Sequence, residues 1–191
     1  MEDYKQRVTN ALRELAAVRG FCGVTVDELA AHTGISKRTI YRYFKNKEEM
    51  VNSVLEDFIS SVEQKITEAL NSSDDPVEMI TNTIKVLIEN IKMFQPVALH
   101  DLQKYYPHLW EKIERFRAGK IHQIFGKILL ENKNRFFREI NPDIFTTALL
   151  ASVRAVVNPG FIMENNLSPE ETINSLFTIF LHGIVRQTPG Q

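Results

Sequence analysis

The stretch Thr25-Val-Asp-Glu-Leu-Ala-Ala-His-Thr-Gly-Ile-Ser-Lys-Arg-Thr-Ile-Tyr-Arg-Tyr-Phe-Lys-Asn-Lys47 is typical of two short helices joined by a tight turn. Thr25 and Glu28 have the spacing of a capping box, which predicts that the first helix begins directly after Thr25. Gly34 suits the left-handed backbone of the turn, and Ser36 suits the N-cap of the second helix. The stretch therefore predicts a helix-turn-helix.

The second of these helices, predicted over residues 37–44, carries an unusual outer surface. Its period turns Ile40 and Phe44 inward and leaves basic, hydroxyl and aromatic side chains outside. These are Lys37, Arg38, Thr39, Tyr41, Arg42 and Tyr43. Arginine can fork onto a guanine edge, threonine can meet a thymine methyl group, and lysine or tyrosine can reach phosphates. We therefore predict sequence-specific binding to double-stranded DNA, although a solvated basic helix face is the plainer alternative.

Positive charge is concentrated in the second helix and the residues directly after it. The chain has 191 residues and a formal net charge of −1, so no bulk basic surface attracts nucleic acid. Residues 37–47, however, contain five basic side chains and no acidic one. We expect DNA affinity to depend on this short segment.

The run Gly34-Ile-Ser-Lys-Arg-Thr-Ile-Tyr-Arg-Tyr-Phe-Lys-Asn-Lys-Glu-Glu-Met50 resembles the signature of TetR/AcrR-type bacterial transcriptional regulators. The resemblance extends upstream and covers about residues 5–52, whereas the remaining two-thirds resemble the family only in layout. It implies a homodimer that reads a palindromic operator, most often as a repressor released by a small-molecule effector.

Residues of the motif can be given separate roles. We predict that Lys37, Arg38 and Thr39 read bases. Phosphate contacts are predicted for Thr25, Tyr41, Tyr43 and Lys47, and Ser36 and Arg42 complete the DNA-binding set. Lys47 lies in the first turn of the next helix, where it is either a tolerated surface lysine or a phosphate contact. The resemblance favours the phosphate contact.

Apolar periodicity predicts an all-α protein. The predicted helices cover residues 3–19, 26–32, 37–44, 47–70, 76–94, 97–106, 107–132, 142–158 and 169–185. We assign residues 1–46 to a three-helix, helix-turn-helix DNA-binding domain and residues 47–70 to a connector helix. Residues 71–191 then form a helical effector-binding and dimerisation domain.

The last two long helices are apolar almost all round, so they must be covered on every side. They are either buried within one chain or paired with a second subunit in a four-helix bundle. We expect the dimer, because helix-turn-helix dimers read two half-sites and because the family dimerises through these helices. The predicted interface residues are Leu149, Val153, Val156, Ile173, Leu176, Phe177, Phe180, Leu181 and Ile184.

The resemblance also implies an effector pocket in the middle of the chain, for an effector that the sequence does not identify. Proline-interrupted helices there carry many aromatic or polar-tipped side chains, and gaps in helix packing can hold ligands. The candidate pocket residues are Phe94, His100, Tyr105, Trp110, Phe116, His122, Phe125 and Arg154. Each aromatic residue is alternatively plain core, and Arg154 meets either an acidic ligand or an internal carboxylate.

Other classes of protein are disfavoured. The single cysteine, Cys22, excludes an internal disulfide and is expected to be a small buried residue. No signal peptide, membrane span, nucleotide-binding loop or metal-ligand cluster appears, so we expect a cytoplasmic protein without enzymatic activity, metal or cofactor. The alternatives are an all-α ligand- or partner-binding dimer without operator binding and, less favoured, an enzyme that uses His100 or His122.

Overall fold

The computed structural model describes residues 4–91, 95–131 and 137–185. Within these ranges the chain is all-α, as predicted, apart from one isolated bridge between Phe137 and Val185. The helices are α1 (Tyr4–Arg19), α2 (Val26–Thr33), α3 (Lys37–Tyr43), α4 (Lys47–Leu70), α5 (Pro76–Ile91), α6 (Pro96–Tyr105), α7 (Pro107–Glu131), α8 (Pro142–Val156), α9 (Pro159–Glu164) and α10 (Pro169–Ile184).

Most helix ends lie close to their predicted positions, but α9 is not predicted by the sequence analysis. The sequence Asn158-Pro-Gly160, assigned there to the end of a helix, also starts the next one. The Asn158 side chain accepts a hydrogen bond from the Gly160 amide at 2.9 Å, and Pro159 occupies the first helical position. Proline is common both just after a helix and at the start of one, so its position alone does not distinguish them.

The chain divides into two compact units. The first contains α1 to α3, α4 as far as Ser61, α6, and α7 as far as Lys112. The second contains the rest of α4 and α7 together with α5 and α8 to α10. The predicted domain boundaries place α6 in the C-terminal domain, whereas in the structure α6 packs against α1. The functional division at residues 46 and 70 stays a prediction.

The first unit has an apolar core that fixes the helix-turn-helix. Helix α1 contacts α2, α3 and α6, and the Thr9 and Ser53 hydroxyls are hydrogen-bonded at 3.2 Å between α1 and α4. Fully buried side chains in this core are Val8, Leu12, Phe21, Leu29, Ile40 and Phe44. The inward positions predicted for Ile40 and Phe44 are therefore confirmed.

The second unit is built around α10, which packs against α5 and α8. An aromatic cluster lies in this unit. The Phe125 ring centroid is 5.3 Å from that of Phe145 and 6.1 Å from that of Phe177, and Phe145 meets Phe180 edge-on at 5.5 Å. Phe125, a predicted pocket residue, is buried in this cluster and belongs to the apolar core.

The predicted interface residues of α8 and α10 mostly face the core of their own unit. Six of the nine are buried within the chain: Leu149, Val153, Ile173, Leu176, Phe177 and Ile184. Val156, Phe180 and Leu181 are half-buried. A side chain already covered by its own chain offers little surface to a second subunit, and the dimer interface stays a prediction. The exposed face of the two helices consists of other residues.

Candidate DNA-binding surface

The helix-turn-helix is held by local hydrogen bonds that the sequence predicts. The Thr25 hydroxyl accepts a hydrogen bond from the Glu28 amide at 3.2 Å, and the Thr25 amide donates to the Glu28 carboxylate at 2.8 Å. Gly34 ends α2 with φ of 66°, in the left-handed region. The Ser36 hydroxyl then accepts from the Thr39 amide at 3.1 Å and starts α3. The capping box, the glycine turn and the second cap are all confirmed.

Acid is expected to weaken α2 through Glu28. Hydrogen bonds from the Thr25 backbone and from Arg19 lower the pKa of Glu28 from 4.5 to about 2. Because the folded-state pKa is the lower one, the stabilisation is present above pH 4.5 and is lost as the pH falls towards 2. The fluorescence of Trp110, the single tryptophan and a residue of the first unit, can follow this loss during denaturant titrations at several pH values.

The matched control for this prediction is the second capping box, between Ser168 and Glu171 at the start of α10. Hydrogen bonds from Ser168 also lower the pKa of Glu171. We expect E28Q to flatten the acid dependence that Trp110 reports and E171Q to leave it unchanged. Equal acid dependence in the wild type and E28Q would contradict the prediction.

The outer face of α3 is accessible. Lys37, Arg38, Tyr41, Arg42 and Tyr43 are exposed, and Thr39 is half-buried. In the described part of the chain, Arg38 and Arg42 make no ion pair, so both guanidinium groups are available to a ligand. All nine predicted DNA-binding residues lie in the first unit and are exposed or half-buried. They are Thr25, Ser36, Lys37, Arg38, Thr39, Tyr41, Arg42, Tyr43 and Lys47.

Two of the predicted base readers already have partners within the protein. Lys37 forms an ion pair with Asp27 of α2. The Thr39 hydroxyl is 2.9 Å from the Ser36 hydroxyl and hydrogen-bonded to it. Sequence reasoning did not identify Asp27 as part of this surface, although its position in the first turn of α2 beside the capping residue was a usable signal. A base contact by Lys37 must replace this ion pair, which is exposed and therefore weak.

Lys47, at the start of α4, is half-buried. Its ammonium group is 3.3 Å from the Cys22 carbonyl oxygen, to which it donates. Burial lowers the pKa of Lys47, and the acidic groups of Cys22, Asp101 and Glu28 oppose this effect. Cys22 itself is exposed, so its predicted burial is wrong. Its backbone faces Lys47 in the loop between α1 and α2.

The predicted pocket residues are divided between the two units. Phe94 lies outside the described residues. His100, Tyr105 and Trp110 belong to the first unit, whereas Phe116, His122, Phe125 and Arg154 belong to the second. Arg154 meets an internal carboxylate, because its Nε is 3.0 Å from Glu114 Oε2.

The second unit contains a cavity of about 560 Å³ that none of these residues lines. It lies between the end of α4, the start of α5 and α7. The lining is Thr67, Leu70, Asn71, Ser73, Asp74, Met79, Gln123, Ile124, Lys127, Ile128 and Glu131. These residues are mostly polar or aliphatic, which is why a search for aromatic side chains missed them.

Among residues 4–91, 95–131 and 137–185, no group of three or more His, Cys, Asp or Glu side chains could hold a metal ion. Over the same ranges, no helix combines the length and the apolar character that crossing a bilayer requires.

Residues 8–54 match the family of bacterial regulatory proteins of the tetR type. The chain is 26% identical over 182 residues to the HTH-type transcriptional regulator YvaF of Bacillus subtilis (strain 168), with 94% of both chains covered. It is 33% identical over 85 residues to the HTH-type transcriptional repressor KstR2 of Mycolicibacterium smegmatis, covering 42% of each. The solved structure of FadR from Bacillus subtilis, in complex with stearoyl-CoA, is similar with a TM-score of 0.67 at 16% identity, covering 93% of this chain and 98% of that one.

The sequence match and the structural similarity agree with the geometry of the first unit. The matched residues span most of α1, all of α2 and α3 and the start of α4. They include the capped helix-turn-helix and its exposed basic face. The comparisons therefore support a TetR/AcrR-type DNA-binding transcriptional regulator whose tetR-type domain lies at residues 8–54.

Proposed function

We propose that the protein is a cytoplasmic, homodimeric repressor that binds a palindromic operator through α3 and leaves it when a small-molecule effector binds. The observation that carries this proposal is the exposed face of α3, held in place by the capping box of α2, the Gly34 turn and the Ser36 cap. The protein acts by binding rather than by catalysis.

The proposed DNA contacts fall into two groups, contacts to bases and contacts to phosphates. Arg38 lies in the first turn of α3, the end of a recognition helix that reaches base edges, and can fork onto a guanine. Lys37 and Thr39 read neighbouring bases after exchanging their internal partners. The Tyr41 and Tyr43 hydroxyls and the Lys47 ammonium reach phosphates, which fix orientation without reading sequence.

The exposed face of α8 and α10 supports the homodimer. Small or apolar side chains recur on it at helical spacing, beside polar ones such as Arg154 and His182: Ile144, Thr147, Ala148, Ala151 and Ala155 on α8, and Ser175, Thr178 and Ile179 on α10. Small side chains let the helices of a second copy approach closely. A two-fold dimer would then present two α3 helices to half-sites about 34–36 Å apart.

The effector is proposed to bind in the second unit. The similar KstR2 is a repressor, and FadR is known in complex with stearoyl-CoA. The cavity between α4, α5 and α7 supports a site for a small molecule in this unit. Because α4 also starts beside the recognition helix, a ligand with different affinities for two positions of α4 could change the spacing of the α3 helices.

Arg38 and Lys47 test the proposal. R38A is expected to lower affinity for the preferred operator by about 1–3 kcal/mol and to relax the preference at one base position. K47A is expected to weaken binding to all DNA sequences alike and to reduce the slope of log affinity against log salt concentration by about 1. Affinities can be measured at several salt concentrations with fragments that include the region upstream of the protein's own gene.

K85A is the matched control, because Lys85 is exposed and its replacement removes the same charge from the second unit. It should bind DNA as the wild type does. Weak binding of the wild type without sequence preference would refute the operator proposal and favour a ligand- or partner-binding dimer. Stearoyl-CoA, added to the same complexes, serves as the first effector probe.

A further inference from the structure

The loop between α1 and α2 is built around a carboxylate from α6. Asp101 is only 7% exposed, and its Oδ2 accepts a hydrogen bond from the Cys22 amide at 2.8 Å. Gly20 has φ of 75°, and a Cβ atom at this position would collide with the same carboxylate oxygen. The loop therefore fits closely against Asp101, and only glycine leaves room for it at residue 20.

The Cys22 backbone connects Asp101 with Lys47. Its amide donates to the Asp101 carboxylate, and its carbonyl oxygen accepts from the Lys47 ammonium at 3.3 Å. All three residues belong to the first unit. A carboxylate that holds the amide thus also restricts the carbonyl oxygen, which belongs to the next peptide group of the same residue. This carbonyl oxygen in turn restricts Lys47, whose four-carbon side chain is otherwise flexible.

We propose that Asp101 is a positioning residue for DNA binding, which holds Lys47 through the Cys22 backbone where the ammonium can reach a phosphate. This inference rests on the proposed function, since it assigns Lys47 a phosphate contact. Asp101 touches no DNA in this arrangement. Its effect on affinity is indirect, because an ammonium group that is already positioned loses less freedom when it binds a phosphate.

The first test is the salt dependence of operator binding. D101A removes the acceptor and is expected to lower affinity about tenfold and to reduce the salt slope by about 1, as K47A does. D101N keeps an acceptor oxygen for the Cys22 amide and should stay within about threefold of the wild type. D101A combined with K47A should bind no more weakly than K47A alone. Thermal unfolding establishes that each variant is folded at the assay temperature.

A purely structural role for Asp101 gives a different result. The DNA affinity of D101A would then fall while its salt slope stays at the wild-type value, or the affinity losses of D101A and K47A would add in the double variant. Either result overturns the inference. An equal loss in D101N and D101A would also overturn it, because the amide oxygen still accepts the hydrogen bond.

The second test measures the effect of Asp101 on Cys22 in the absence of DNA. Partial burial raises the pKa of the Cys22 thiol, Asp101 raises it further, and Lys47 and Lys104 oppose them. Tyr106, whose pKa burial raises to about 12, stays neutral near pH 8. Removing the Asp101 charge in D101N should therefore lower the thiol pKa and speed its reaction with an aromatic disulfide reagent several-fold. Cys22 is the only cysteine, so the signal has one source.

D57N is the control for the thiol assay, because Asp57 pairs with Gln6 elsewhere in the first unit. It should react at the wild-type rate. An unchanged rate in D101N would show that the Asp101 charge does not act on Cys22, and the inference would fail whatever the DNA results are. If D101N reacts faster but the wild type binds no DNA, the proposed function fails, and the positioning role fails with it while the contact stands.

Discussion

Replacing Phe44 with alanine is expected to destabilise the first unit by about 3–5 kcal/mol, the range for deleting a buried aromatic ring. Phe44 follows α3 directly and is 2% exposed, and the Lys5 ammonium lies 6.0 Å from the centre of its ring. Without the ring, a cavity opens beneath the recognition helix. Denaturant unfolding followed by Trp110 fluorescence measures the change in the unit that contains the mutation.

The adjacent residue provides the control. Tyr43 is 43% exposed, and its ring centroid is 6.2 Å from that of Tyr4. We expect Y43A to lose the weak ring contact, worth at most about 1.5 kcal/mol, while its DNA affinity falls. Equal losses of stability in F44A and Y43A would contradict the separation of buried residues that hold α3 in place from exposed residues that bind DNA.

This separation could be predicted because it depends on local rules. A capping box spans four residues, a left-handed turn needs one glycine, and the inner face of a short helix follows from its period. Thr25, Gly34 and Ile40 each follow such a rule, and the structure places them as predicted. The start of α10 at Ser168 follows the same capping rule.

Contacts between distant segments could not be predicted in this way. Nothing near Asp101 in the sequence indicates that its carboxylate holds a loop 79 positions earlier. The same limit applies to α8, which is apolar around most of its surface. Its period does not show that Leu149 faces the core while Ile144 faces outward. Aromatic content likewise does not distinguish a ligand pocket from a core, and Phe125 belongs to the core.

Replacing Glu114 with leucine is expected to destabilise the second unit by about 3 kcal/mol. This is the lower end of the range for breaking a buried ion pair, because the Arg117 and Glu114 side chains are still 15% and 18% exposed. Glu114 receives a hydrogen bond from Arg117 at 2.9 Å and one from Arg154 at 3.0 Å. The Arg117 side chain is only 15% exposed, and burial lowers its pKa while Glu114 opposes the effect. In E114L this guanidinium loses its ion pair with the carboxylate, while its hydrogen bond to the Val157 carbonyl oxygen at 3.3 Å remains.

Two further variants separate the loss of charge pairing from the loss of packing. R154A removes an arginine that is 54% exposed and should cost less than about 1 kcal/mol. E114L combined with R117M replaces the pair with apolar side chains and should recover most of the lost stability, because neither buried charge remains. Thermal unfolding followed by circular dichroism compares the stabilities of E114L, R154A and the E114L/R117M double variant. If the double variant is no more stable than E114L, Glu114 acts through packing and the ion-pair argument is wrong.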